Sequence, residues 1–526
     1  MVQAMQKRNR NNIRAFEPLS VSFSCATLLD GSFFLGVEQM VLRGRREIFT
    51  DVTEITKENI CKVMDEAFET HLKNASEIEY LQNYEKGKQP ILDRIKEVRP
   101  EINIKAVENH AHEITSFKVG YVFGSPITYV QRASIDSSGE TSKVDDKAIA
   151  ILNEMMFEEN KASKDKHLGK DIAVCGIGYR IVLPKEEKTG VAAFDILRLN
   201  PKSAFVVKAN DIHKRKLIGA SYVTTKDDVV KMGAYTKDAY YELEKNKAGF
   251  EIKSITPHLL GVIPIIEYIN DEERMGSFER VIPLLDALNE ATSDRLNGVA
   301  QFVQAILWMN NCEVDTAQMN ELKDKLGLLT KSEPGNPASV QYLVASLDQS
   351  QTQTLIDYLY EQILQIAGVP GREQSTGGNT GQAILLSNGW QIAETQAKNV
   401  EQIFTESERE MLKVVLKICG MTEASNVANL KLSDIDIKFS RNRTDSLLVK
   451  TQALANQLQA GIHPLVAITT CGLYSDPQGV WNDSEKYMQK WLYDAEEVDA
   501  DVEDSVSVIR QSGGEDNEET EPRVQA

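Results

Sequence analysis

The residues best equipped for chemistry are scattered, and each group lacks a partner its chemistry would need. A phosphate-binding P-loop requires GxxxxGK[ST], so that backbone amides and a lysine together hold the phosphates. That string is absent from all 526 residues. Gly176-Ile-Gly178 lacks the third glycine of a dinucleotide fingerprint and reads better as a tight approach between backbones. Neither a GxSxG elbow nor an HExxH metal motif occurs. His110 and His112 are two residues apart, a spacing that sends them to different faces of a helix and away from a shared metal. Asp271-Glu-Glu273 reads as a solvated turn before a helix rather than a metal cluster. The polar, glycine-rich stretch Gly371–Gln382 is more unusual. Successive amides there suit an anion nest, yet no lysine is at hand to complete a phosphate site, and a mobile loop between two helices fits it better. Catalysis is therefore not expected, and no cofactor or metal either.

The composition is that of an ordinary protein with buried cores. Net charge is −19, and the chain is 42% hydrophobic and 26% charged. That argues for several structural units with real cores and against a generic nucleic-acid binder, which would carry a basic patch. No apolar run is long enough to span a membrane, and the run Leu19–Leu29 carries too many hydroxyl groups for a signal peptide. The six cysteines are widely spaced without a CxxC and read as reduced thiols. The sequons at Asn74 and Asn482 then carry no meaning. Charge is uneven: residues 1–14 hold four basic groups and no acid, whereas residues 494–526 hold twelve acids against Arg510 and Arg523. The acidic end is expected to be a disordered, solubilising tail.

What would position these residues is mainly helical. Residues 15–50 read as an extended arm. Ile60, Met64, Phe68 and Leu72 mark an amphipathic helix with Thr56 as N-cap. Further helices are expected from Ile104 to Tyr121, stopped at Gly124-Ser125-Pro126, and from Asp145 to Met156. Residues 171–270 read as a small antiparallel β region, with strands at Ile172–Leu183, Phe194–Leu199, Ala204–Val207 and Ala220–Thr224. Apolar positions from Val281 to Ile306 alternate by four and three, which predicts a one-sided helix over 276–309, about 50 Å long. Leu355, Leu359, Ile363 and Ile366 predict a helix over Thr352–Ala367, ended by Gly368 and Pro370. A further helix of about 36 residues is expected from Ala383 to Gly420, with Gly389 inside it as a kink.

Taken in order, several strings resemble the portal proteins of tailed double-stranded DNA bacteriophages, in the Gp6-like siphophage branch. They are Lys118–Tyr129, Gly169–Tyr179, Gly261–Asn270, Gly276–Asp286 leading to Ser293-Asp294, and Gly377–Ala383. The resemblance runs over residues 50–450 and implies an α+β, mainly α fold assembled as a ring. It assigns an N-terminal arm (1–40), a wing (41–275), a first stem helix (276–309) and a clip (310–350). A second stem helix (351–369), a tunnel loop (370–382) and a long kinked helix (383–420) follow, then a return to the wing (421–450), a crown (451–493) and the acidic tail (494–526).

The resemblance also implies the function: a structural channel at one capsid vertex, through which terminase packages DNA and from which DNA is later ejected. Twelve copies are implied in the virion, with thirteen open for the isolated ring. Weakly and non-specifically held double-stranded DNA, the terminase large subunit, a head-completion adaptor, and the major capsid and scaffolding proteins are the implied partners, without a membrane. Assembly would take place in the host cytoplasm. The implied DNA-facing residues are Arg372, Gln374, Ser375, Thr376, Gly377, Gly378, Asn379 and Thr380. Ring packing falls to Leu285, Leu288, Leu296, Val299, Leu355 and Leu359, and the clip surface to Lys323, Lys325 and Lys331. Thr380-Gly381 replaces the family's usual Ser-Gly, and Arg372 is the loop's one basic group. The stem helix itself carries Glu279, Asp286, Glu290 and Asp294 against Arg280 and Arg295, a balance suited to letting a duplex slide. A packaging ATPase and a non-channel minor capsid or connector protein are the competing readings; the missing P-loop weighs against the first.

Overall fold

The computed structural model describes residues 44–96, 100–132, 146–185, 190–303, 306–310, 337, 339–343, 349–371, 389–422, 426–440 and 447–474, together with 477, 479–481, 483–484 and 487. They form a mixed α+β architecture with a larger β share than expected.

The first helix, α1, spans Ile60–Glu85. It begins a turn later than Thr56, because the Asn59 side chain accepts from the Thr56 amide at 2.8 Å and closes a turn ahead of the helix. The front half of α1 lays Ile60, Met64, Ala67 and Phe68 on a six-stranded sheet, burying Phe205, Ile218, Met232 and Leu243. That sheet runs β1 (Ile48–Thr50), β5 (Ala204–Ala209), β6 (Lys216–Thr224), β7 (Val230–Tyr235), β8 (Ala239–Asn246) and β9 (Gly249–Pro257). Only the β1–β5 pair is parallel, Ile48 opposite Val207.

Two expected elements change type. Residues 104–109 are extended, and helix α2 covers His110–Phe123. Ile172–Cys175 are not strand but the last turn of α4 (Lys161–Cys175). Gly176 ends that helix in the left-handed region at φ +77°, and an added Cβ there would meet the Arg274 carbonyl oxygen at 2.1 Å. Strand β3 (Ile177–Pro184) follows directly. It is the centre of a second sheet, ordered β10 (Ile265–Ile269), β3, β4 (Phe194–Leu199). Both faces of this sheet are covered: Tyr179 and Ile181 face the core shared with α1, α2 and α4, whereas Val182, Ile196 and Tyr268 face a core closed by α3 (Asp146–Glu158) and by the last long helix. The latter core also takes β2 (Thr128–Gln131), paired antiparallel with β13 (Ile435–Lys438).

The expected 276–309 helix is shorter. After a single turn at Glu279–Val281, α5 runs Ile282–Val303, about 33 Å at 1.5 Å per residue. The remainder of that pattern is strand: β11 (Ile306–Asn310) pairs antiparallel with β12 (Ser339–Leu343), Trp308 opposite Gln341. A β-branched or aromatic run sits as easily on a pleated ribbon as on a helix, which is why periodicity misplaced it. Helix α6 (Gln349–Ala367) returns beside α5. Helix α7 covers Trp390–Met421, 32 residues. Gly389 is its N-cap in the left-handed region, φ +76°, rather than a kink within it. Helices α8 (Leu447–Gln459) and α9 (Pro464–Cys471) complete the described chain.

Candidate functional site

Helix α5 is fixed to the rest of the fold by a ladder of buried polar side chains that the sequence reading missed. Asn289, Ser293 and Asn297 recur every fourth residue on one edge of α5 and are almost wholly buried. Their side-chain oxygens accept the amides of Glu108 at 2.8 Å, Ala106 at 2.9 Å and Ile104 at 2.6 Å. Three alternate amides of 104–109 are thus bonded to α5 rather than to a helix of their own. A short polar residue repeating at i, i+4, i+8 inside an apolar helix was the available signal.

The charges of α5 do not form an open acidic face. Glu279 is buried against Arg45 at 2.6 Å, and Asp286 accepts from the Tyr84 hydroxyl at 2.8 Å. Asp294 pairs with Arg94 at 2.6 Å, and Arg280 with Asp271 at 2.9 Å and with Glu273. Glu290 is exposed.

The ring-packing candidates divide. Leu285 and Leu288 lie at 1% and 0% exposure in the chain's own core, against α1 and α6 residues. Leu296, Val299 and Leu355 are exposed and Leu359 is half-buried. With Tyr358 and Ile366, they leave apolar side chains on the outside of α5 and α6.

The ends of the glycine-rich segment converge. Helix α6 stops with Gly368 in the left-handed region at φ +64°, and an added Cβ at Gly389 would lie 3.7 Å from the Pro370 Cα. Residues 371–388 thus leave and re-enter the fold at one point. That root is gripped by α2. Phe117 and Tyr121 stack at 5.5 Å, and both contact Trp390, the first residue of α7, at 6.0 and 5.9 Å. Tyr121 donates to Glu394 at 2.9 Å, while the Lys118 ammonium donates to the Gly368 carbonyl at 3.3 Å and to the Gln396 side chain. Arg372, Gln374, Ser375, Thr376, Gly377, Gly378, Asn379 and Thr380 lie outside the described residues, as do Lys323, Lys325 and Lys331.

The other motifs resolve into structure. An added Cβ on Gly178 would meet the Leu168 side chain at 2.8 Å, so that glycine allows the helix–strand approach expected of it. His110 sits between Glu113 and Glu108, whereas His112 turns to Glu85. Among the described residues no group of three His, Cys, Asp or Glu side chains could hold a metal, and no helix is long and apolar enough to cross a membrane. Between α2, α4, the 270–281 turn, α6 and α7 lies a cleft of about 600 Å³, with Lys118 and Gln396 on its wall.

The described residues thus form an α+β frame that carries a helix pair, a β-ribbon and a long further helix. Residues 65–499 match the family model described as phage portal protein, SPP1 Gp6-like, and the chain belongs to that family. This is a family of non-catalytic structural proteins that form DNA portal channels. No curated protein matches the chain.

Proposed function

We propose that the chain is one subunit of a closed ring at the unique vertex of a phage capsid, the conduit for double-stranded DNA during packaging and ejection. The family match over residues 65–499 carries this reading. The stem pair α5–α6 with its β-ribbon supports the assignment of 276–309 and 351–369 to the stem and of 310–350 to the clip. On this reading the clip, with Lys323, Lys325 and Lys331, faces the terminase large subunit and later the head-completion adaptor. Residues 370–382 line the tunnel, and the frame of residues 41–275 forms the wing that meets major capsid and scaffolding proteins. The apolar side chains left outside on α5 and α6 supply a packing face for neighbouring copies, because large exposed apolar patches mark interaction surfaces.

The test is electron microscopy of the purified chain. Class averages with twelve or thirteen subunits around a central hole are expected. Monomers, or rings without a hole, would favour a non-channel connector. A second experiment addresses the loop: replacing Gly377 and Gly378 with Val removes backbone freedom that glycine alone permits. Procapsids with normal portal content but less packaged or retained DNA are expected, and wild-type packaging would remove the loop from the mechanism.

A further inference from the structure

Lys118 is a cation that, among the described residues, bonds to both sides of the point where the glycine-rich segment joins the fold. It lies on α2, yet its ammonium reaches past that helix to the last turn of α6 at Gly368 and to the second turn of α7 at Gln396. Both acceptors are uncharged. The charged groups of the elements packed around it are engaged elsewhere or, in the case of Glu272, exposed. On the 270–281 turn, Arg280 holds Asp271 and Glu273, with Glu272 beside them on the cleft wall. On α7, Glu394 is held by Tyr121 of α2 and by Lys398. The lining residues of α4 are Gly169, Ile172 and Ala173, none of which ionises. Gly368 packs so closely on Gln396 that an added Cβ would lie 2.2 Å from the Gln396 side-chain oxygen. Three elements and both ends of one segment therefore meet at a single partly buried amine.

We propose that Lys118 is a positioning residue for the tunnel segment: it ties both ends of residues 371–388 to the wing helix α2, and its protonation state sets how readily this root opens. The proposal rests on the portal reading given above. The physical reason is the cost of holding an ammonium out of water against two neutral acceptors. A neutral amine keeps donors for Gly368 and Gln396 without that cost. In agreement, burial pushes the Lys118 ammonium down from 10.5 to about 8. The sign follows from linkage: opening hydrates the side chain and restores its ordinary affinity for a proton, so protonation favours the open root and alkaline pH the closed one.

The experiment is hydrogen exchange followed by mass spectrometry on assembled rings between pH 7.5 and 9.5, corrected for the intrinsic rate. In the wild type, amides in 365–371 and 389–397 should become about twentyfold better protected across that range, as a shift from 10.5 to about 8 requires. Strands β7–β9 should not follow. Lys118→Met should abolish the pH step and leave the root less protected than wild type at pH 9.5, because both donors are gone. Gln396→Glu supplies a counter-charge and should move the step to higher pH. It carries the test alone if Lys118→Met fails to form rings. A step that persists in Lys118→Met, that is unmoved by Gln396→Glu, or that appears equally in β7–β9 would overturn the proposal. The portal reading stands or falls separately, on whether the wild type forms rings with a central hole.

Discussion

Leu288 and Leu296 lie about two turns apart on α5, one fully buried and the other 42% exposed, so their substitutions report different things. Leu288→Ala should destabilise the subunit itself by about 2–5 kcal/mol, the usual cost of a truncated core leucine, read from denaturant unfolding. Leu296→Asp with Leu355→Asp removes surface the subunit does not use internally. It should leave the melting temperature within a few degrees while rings disappear from size-exclusion profiles and micrographs; rings at wild-type yield would exclude that face from the assembly contact. Acid stability is set by other residues. Glu408 is buried among Lys161 at 2.6 Å, Arg180 at 3.4 Å and the hydroxyls of Tyr129 and Tyr268. Burial alone would raise its pKa, but the Lys161 ammonium and the Arg180 guanidinium outweigh that and hold it low. Glu267 is held low in the same way, burial opposed by Arg274. For both, the stability is present above the unfolded value of 4.5 and lost as pH falls below it. His71, stacked on Phe205 at 4.5 Å, is pushed by burial from 6.5 to about 4, so the unfolded chain gains protons first from pH 6.5 downward. Thermal scans should therefore show stability falling from pH 6.5 and steeply below 4.5. His71→Gln should flatten the upper part alone.

At the scale of elements, long one-sided helices were legible, and most of their ends were not. The apolar spacing of Leu355–Ile366 located α6 and its stop, because glycine followed by proline leaves little alternative. The missed pieces share a physical cause. Residues 172–175 are a short apolar run, equally suited to a buried strand and to the last turn of a buried helix, and it was the left-handed Gly176 that decided between them. Strands β7–β9 alternate apolar residues with Lys and Glu, and their apolar face is defined by α1, nearly 150 residues upstream of β7 in the chain. Of the site, the glycine-rich stretch stood out in the sequence as an exception to helical pattern, and its residues 372–382 lie outside the described residues. The grip of Phe117, Lys118 and Tyr121 on its root was not legible, since those residues fit an ordinary helix face. Gly368 offers a direct check of that root. Gly368→Ala forces a Cβ onto the Gln396 side chain in a left-handed conformation. It should lower the melting temperature by several degrees, with the loss of protection centred on 365–371 and 389–397.

At the scale of the whole molecule, the acidic balance bears on DNA. Each phosphate neutralised by a cation adds affinity and salt dependence. A chain of net charge −19 whose stem cations Arg280 and Arg295 are engaged by Asp271, Glu273 and Gln353 offers few such contacts. Isolated rings should bind duplex weakly, without sequence preference and with a shallow salt slope. Nanomolar affinity at physiological salt would contradict a sliding conduit. Fluorescence anisotropy with two unrelated duplexes is sufficient to decide it.

Because Pro370 and Gly389 lie side by side, the frame itself holds the two points between which residues 371–388 run at a fixed, short separation. The free energy of closing a chain between fixed neighbouring ends depends weakly on its length, about 0.6 kcal/mol for each doubling. Changes of length between those two points should therefore cost little in chain closure, so long as the contacts of Gly368, Pro370 and Trp390 that hold them are kept.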